Sequence, residues 1–333
     1  PGVNFAVLEC ARGGILRAGL GFDHCDVSVV TNVSSDHLGI SDVETVEQLA
    51  RIKSVVPRST KPSGHAILNA DDDLVYNMSK DLSCNIALFS LDPQNPRILE
   101  HVQTGNLAAV VDNGHFTIMA KGVKMNIAAV ASVPLTMGGK AECMTKNILP
   151  ALLTAYLYNF PVQALTDALM SFIPSPENTP GRMNEFIFKD FKMIVDYAHN
   201  QGGFAELKKY AEKEEASVKV GIITCPGDRL EEDVITIGRQ AAEIFDEIII
   251  RHDKDGRGRP RELMTELLMT GIKQVDPNKW VIVISDEKEA VQYAIDHARF
   301  GSWIFVNTEK VFDTLQFVAA AQERQAVLTP VQH

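Results

Sequence analysis

Long apolar runs are missing from this 333-residue sequence, and none approaches the ~20 residues that a membrane-spanning helix needs. The opening PGVNFAVLEC lacks a basic start and a small-residue cleavage site, so it is expected to lead into a buried strand and not to serve as a signal peptide. Cysteine is sparse: Cys10, Cys25, Cys84, Cys143 and Cys225 are odd in number, scattered, and form no CxxC pair. That argues against a disulfide framework or a zinc site and favours free thiols in a reducing cytoplasm. Basic excess is absent as well. With 32 Lys and Arg against 43 Asp and Glu, a net charge of −11 excludes a general nucleic-acid binder, because phosphate backbones attract basic faces. ATP stays open, since arginines and backbone amides can meet its phosphates locally. Internal repeats and low-complexity segments do not occur. The first residue is proline, not methionine, and core-like sequence follows at once, as expected of a piece of a longer protein.

What is present is 45% hydrophobic and 23% charged, enough chain for two domains with a core each. Apolar, β-branched runs alternate with helical spacing, the pattern of an α/β fold. Strands are expected at 5–8, 27–31 and 65–68, and a helix at 43–56 (Val46, Leu49, Ile52, Val56) that Pro57 ends. Short alternating segments between 107 and 133 predict a small antiparallel excursion, and helices follow at 144–158 and 162–172. PSPENTPGR, 174–182, is dense in turn formers and marks the boundary, placing domains at 1–179 and 180–333. Beyond it, strands at 193–196, 218–224, 247–250, 280–284 and 303–306 alternate with helices at 204–213, 233–244, 260–269, 287–297 and 311–321, a complete Rossmann-like domain.

Several strand ends carry polar groups. FAVLE delivers Glu9 beside a glycine-rich turn, where α/β folds place ligands and a carboxylate can hold Mg²⁺; a surface acid closing a strand is the competing reading. VSVVTN leads to Asp36 and His37, which share a rim with Glu9 if the two strands adjoin. Lys53 lies among apolar neighbours in ARIKSVV; most such lysines reach solvent, while a partly buried one can take up CO₂ as a carbamate. Asn69, Asp71 and Asp72 in LNADDD read as a turn and helix cap. In MIVDYAHN, 193–200, an apolar strand brings Asp196, Tyr197, His199 and Asn200 to a turn, and Gly202 and Gly203 open a helix. Such an acid accepts from ribose hydroxyls, and the helix start favours an anion.

GRMNEF followed by VDYAHN resembles the Mur ligase superfamily. LECARGGILRAGLGFDHCDVSVVTNVSSDHLGI, EQLARIKSVV, HAILNADDD, CPGDRLEEDV and HDKDGRGRPRE resemble its cyanophycin synthetase branch. The resemblance implies a truncated central Mur ligase ATPase-type domain followed by a complete Rossmann-like C-terminal Mur ligase domain. It also implies a reaction: ATP phosphorylates a carboxylate, and an amine attacks the acyl phosphate to form an amide. By the same resemblance Glu9 and His37 bind Mg²⁺, and carbamylated Lys53 supports the second ion. Asn147 approaches adenine, Arg182 reaches the phosphates, and Asp196, with His199 and Asn200, holds the nucleotide. Metal ions and arginine then neutralise the charge that collects there. The branch adds arginine to a β-aspartyl carboxylate, and a guanidinium seeks a fork of acids. Candidates are Asp228, Glu231, Glu232, Asp233, Asp253 and Asp255, although Glu232 and Asp233 equally read as favouring a helix dipole. Arg257, Arg259 and Arg261 are either a carboxylate or phosphate site or a solvated loop.

The sequence also departs from the pattern. No GxxGKT-type phosphate loop occurs; Gly139-Lys140 is the sole GK and no Ser or Thr follows it. The loop, and an ATP-grasp domain further upstream, are expected before Pro1, and the segment alone is expected to be inactive. An open sheet edge, compensated by homo-oligomer contacts or disordered near Pro1, is expected in consequence. Gln201 stands where the family usually has proline after DYAHN. The remaining alternatives are a ligase acting on folylpolyglutamate or peptidoglycan precursors and a degenerate, non-catalytic module.

Overall fold

Apolar runs without helical spacing become strands, and apolar residues three or four apart become helix faces, in two units that meet in sequence between Phe172 and Ile173. The computed structural model describes residues 2–34 and 43–327. Among these no helix is long and apolar enough to cross a membrane.

The first unit runs α1 (Arg12–Ala18), β1 (Cys25–Val30), α2 (Val46–Lys53), α3 (Val55–Arg58), β2 (Thr60–Asn69), α4 (Asp73–Asn77), β3 (Asn85–Ser90), α5 (Pro96–Gln103), β4 (Leu107–Asp112), β5 (His115–Ala120), β6 (Val123–Ala129), α6 (Glu142–Leu157) and α7 (Val162–Ser171). Its strands stand in the order β1-β2-β3-β4-β5-β6. The first four pair parallel, and β4, β5 and β6 pair antiparallel. The expected excursion is therefore an extension of the main sheet. Asn113 (φ 47°) and Gly114 (φ 73°) form its two-residue turn, the left-handed pair that suits the twist of a hairpin. Ile148, Leu149, Leu152 and Leu153 of α6 pack on Ile67, Phe89, Phe116 and Ile118 of the sheet. Each fully buried side chain of this kind contributes about 1.5–3 kcal/mol relative to exposure.

Two expectations are corrected here. Residues 5–8 join no sheet: Val7 is 97% exposed, and Phe5 instead packs edge-on against Tyr158 at 4.7 Å, past the end of α6. An apolar, β-branched run becomes a strand only where a neighbour offers its backbone groups, and here aromatic packing holds Phe5 elsewhere. Pro57 does not end the helix either. The break falls at Ser54, whose hydroxyl donates to Arg51 O at 2.7 Å, and Pro57 sits within α3, in a first turn where its missing N–H costs nothing.

The second unit runs β7 (Asn184–Ile187), β8 (Phe191–Asp196), α8 (Gln201–Glu212), β9 (Val218–Ile223), α9 (Glu231–Ile244), β10 (Glu247–Ile250), α10 (Arg261–Val275), β11 (Trp280–Val283), α11 (Glu287–Asp296), β12 (Ser302–Asn307) and α12 (Val311–Val327). The order is β11-β10-β9-β12-β8-β7. All five expected strands form and pair parallel; β7, antiparallel to β8, is a sixth that four residues were too few to announce. Residues of α11 and α12, among them Val291, Ala294, Leu315 and Val318, cover Met193, Val195, Ile222, Ile304 and Val306. Trp303 and Phe305 stack with Phe245, at 6.0 and 5.9 Å. Because β12 returns between β8 and β9, the carboxyl ends of these three strands frame the crevice where doubly wound sheets place ligands.

Candidate functional site

The segment leading into β7 is set by one glycine. Gly181 has φ +68°, and a Cβ there would meet the Val311 methyls at 2.8 Å. Its N–H donates to Asn184 Oδ1 at 2.7 Å, and its carbonyl accepts from Tyr197 N at 2.9 Å. Arg182 is thereby left exposed, its guanidinium 5.8 Å from the Tyr197 ring centre. Met183 N donates to Asp196 Oδ2 at 2.8 Å. Asp196 ends β8 and is buried; that burial pushes its carboxyl up to about 6, against the pull of the Met183 N–H, the Arg182 charge and the Ala198 N–H. A carboxylate offers about four acceptor positions, so two backbone donors leave capacity for hydroxyl groups.

The turn after β8 is tightly bonded. His199 Nδ1 lies 2.8 Å from Tyr197 O, and Asn200 caps α8 by accepting from Gly203 N at 2.7 Å. Gln201, in the place of the usual proline, donates to Asp233 Oδ1 at 2.6 Å and so joins the starts of α8 and α9.

The expected fork of acids is largely committed elsewhere. Asp228 pairs with Arg257 at 2.8 Å. Burial acts to raise Asp228, but the Arg257 hydrogen bond and charge outweigh it and leave the carboxyl below its usual range. The pairing follows from two loops pressed together, since a Cβ on Gly227 would strike Gly256 O at 2.1 Å. Glu231, Glu232 and Asp233 occupy the first turn of α9, as helix-dipole partners do, and Glu232 pairs with Arg239 at 2.8 Å. Arg259 is half-buried, and its Nη1 has no hydrogen-bond partner among the described residues.

A cavity of about 270 Å³ opens beyond the ends of β10 and β11, lined among others by His252, Lys254, Arg261, Asp286, Lys288 and Glu309. His252 is held on both sides, by Ser285 Oγ at 3.0 Å and Thr265 Oγ1 at 2.9 Å. Burial and the nearby Arg261 charge keep its imidazole below its ordinary range, hence neutral. Glu287 also lines the cavity, and buried Arg251 lies 3.3 Å from it; sequence reasoning missed both. The available signal was an arginine directly following the apolar strand EIII.

In the first unit Glu9 is exposed and lies outside the sheet, so adjoining strands do not build the rim expected for it. Asp36 and His37 lie outside the described residues. Lys53, the last residue of α2, is half-buried and donates from Nζ to Asn32 O at 2.9 Å. Asn147 is exposed on α6, away from the buried Met144, Thr145, Ile148 and Leu149. Asp72 caps α4 and accepts from Val33 N at 2.8 Å, and Asp71 accepts from Leu91 N at 2.9 Å, both structural roles. Among the described residues no three His, Cys, Asp or Glu side chains gather as a metal site.

Comparison with known proteins gives the family. The Mur ligase middle domain family matches residues 1–154, and the Mur ligase, glutamate ligase domain family matches residues 181–307. Cyanophycin synthetase of Geminocystis herdmanii is 40% identical over 318 residues, 96% of this chain and 36% of that protein. The Trichormus variabilis cyanophycin synthetase is 41% identical, with 96% and 35% covered. The chain thus spans little more than a third of these relatives. A Listeria monocytogenes UDP-N-acetylmuramoyl-L-alanyl-D-glutamate–2,6-diaminopimelate ligase is 25% identical, over 92% of this chain and 59% of its own. Among solved structures, E. coli FolC in complex with DHPP and ADP aligns with a TM-score of 0.64 at 16% identity, covering 90% of this chain and 62% of that one. MurF from Acinetobacter baumannii aligns at 0.62 and 16%, covering 90% and 60%. At such identities the likeness speaks to the fold alone.

Proposed function

Since the chain belongs to the Mur ligase superfamily, we propose that it is the middle and C-terminal part of an ATP-dependent amide ligase of the cyanophycin synthetase type, which adds arginine to a β-aspartyl carboxylate. One observation carries the reading: a similarity of 40% identity to a cyanophycin synthetase extends over 96% of the chain.

In such a reaction a carboxylate oxygen attacks the γ-phosphorus of ATP and ADP leaves. The amine then attacks the acyl carbon, phosphate departs and a proton is released. Exposed Arg182 would meet the phosphate charge, and Asp196 would use its remaining acceptor capacity on ribose hydroxyls. His199 and Asn200 shape the turn beside it. Asn147, exposed on α6, would approach adenine. Mg²⁺ keeps few protein ligands and fills the rest of its shell with water and phosphate, so exposed Glu9 fits as a single carboxylate ligand; His37 would be the second ion's. When bound, the ion neutralises charge on the phosphates. Lys53 would support that edge, as an ammonium on Asn32 O or as a carbamate. The cavity carries both signs of charge and suits an amino acid charged at both ends.

The test uses a protein of the relatives' full length that contains this segment, supplied with ATP, Mg²⁺, an aspartate-based primer and labelled arginine, glutamate or diaminopimelate. Arginine incorporation with ADP release is expected. Glutamate or diaminopimelate incorporated without arginine would reassign the substrate to the folylpolyglutamate or peptidoglycan type. Absence of nucleotide binding would leave a non-catalytic module. The 333-residue chain alone, without a phosphate loop, is expected to show no turnover.

A further inference from the structure

Arg251 follows β10 directly and is 1% exposed. Taking a guanidinium out of water costs several kcal/mol unless its donors are satisfied, and replacing a buried ion pair by apolar residues is often neutral or stabilising. A brace alone does not require one.

Its partners belong to separate strand ends. Nε and Nη2 both donate to Asn307 O, at 3.0 and 2.8 Å, at the end of β12. Nη1 donates to Asp253 at 2.8 Å and lies 3.3 Å from Glu287, the first residue of α11. Glu287 in turn accepts from Thr308 Oγ1 at 2.6 Å, from Glu309 N at 3.1 Å and from Thr314 Oγ1. Asn307 and Thr308 then reach the β8 end. Asn307 Nδ2 donates to Ala198 O, and Thr308 N donates to Asp196 O at 2.9 Å. On the other side Glu309 accepts from Lys254 N at 3.1 Å, and Lys254, Glu287, Glu309 and Thr314 all line the cavity.

We propose that Arg251 is a positioning residue that couples the Asp196 strand end to the charged cavity, so that each responds to what the other binds. The proposal rests on the reading that Asp196 faces nucleotide and the cavity takes the amino acid. A ligand cation drawn to Glu287 or Glu309 acts on the same carboxylate network that orients Asn307 and Thr308, and through them the Asp196–Ala198 turn. The planar fork matters: two of its N–H groups read one carbonyl while a third faces two carboxylates, which a lysine ammonium on a flexible stem does not reproduce.

The experiment titrates ADP into the 333-residue chain by calorimetry, with and without saturating L-arginine, for the unsubstituted protein, Arg251→Lys and Glu287→Gln. In the unsubstituted protein arginine is expected to tighten ADP about ten-fold, and by reciprocity ADP tightens arginine equally. In Arg251→Lys, ADP alone is expected to bind within about two-fold of the original while the coupling falls to near one. Glu287→Gln should lose the coupling too, which covers a lysine variant that fails to fold. Full coupling in Arg251→Lys, or no coupling in the unsubstituted chain, overturns the proposal. If ADP does not bind this chain, which lacks the phosphate loop, the nucleotide reading of Asp196 is decided by the full-length protein, and amide exchange at Ala198 and Thr308 on adding arginine decides about Arg251. Slowing in the original but not in the lysine variant upholds it, and equal behaviour overturns it.

Discussion

In the first unit Glu9 and Asn147 are exposed and Lys53 is half-buried, each on a different segment. In the second, Asp196, Arg251 and Asp253 are buried and bonded, across the ends of neighbouring strands. The same α/β rule places both sets. Among the described residues the first sheet's carboxyl edge holds Asn69, Asp71 and Ser90 in hydrogen bonds apart from the expected site residues. The second sheet's edge holds a buried ion pair, Arg251–Asp253, bonded through Asn307 and Thr308 to the β8 end that Asp196 closes. A buried cluster is held in position before any ligand arrives, and it is vulnerable, since losing one charge strands the others. Exposed groups are cheap to change, and a ligand must order them.

The sharpest way to break this contrast is Arg251→Met, which leaves Asp253 and Glu287 without their countercharge. A loss of about 3–5 kcal/mol from the second unit is expected. Urea unfolding monitored by thiol labelling of Cys225 reads it, because that thiol is buried and pushed up to about 12 by desolvation, and reacts only once the unit opens. A loss below about 1 kcal/mol would remove the case for a vulnerable cluster.

Gly181→Ala forces a Cβ into φ +68° and against Val311, with an expected cost of about 1–3 kcal/mol in the same assay.

Asp196→Asn separates fold from ligand binding. The folded carboxyl titrates near 6 instead of the ordinary 3.8, so the folded chain holds its proton longer than the unfolded chain does. Stability from this group is full below about pH 4 and lost as pH rises through about 6. The asparagine variant should therefore be more stable by about 2 kcal/mol at pH 7 and unchanged at pH 4, while binding nucleotide more weakly. Equal stability of the two proteins at pH 7 would contradict the burial assigned to this carboxyl.

Glu9→Gln and Asn147→Ala are expected to shift stability by no more than about 0.5 kcal/mol, read by thermal unfolding. A larger change would mean that the exposed set is built in after all.

Where local pattern and tertiary structure agree, the sequence was legible. The strands of the second unit, the Asn113-Gly114 hairpin and the cap at Asp72 follow from spacing and from short polar side chains at turns and helix starts. The strand expected at 5–8 failed because apolar alternation says nothing about whether a pairing partner is at hand. The Asp228–Arg257 pair and the Arg251–Glu287 contact were out of reach because their members lie 29 and 36 positions apart, in loops and at a helix start that meet only when the strands order as they do.

By itself, then, the order of residues determined the alternation of strands and helices and the motifs that place the chain among its relatives. Periodicity and turn chemistry act over a few residues and survive without a fold. Which charged groups are buried, and which neutralise one another before a substrate arrives, was decided only when β12 returned between β8 and β9. Burial and ion pairing depend on distances in space that no local spacing encodes.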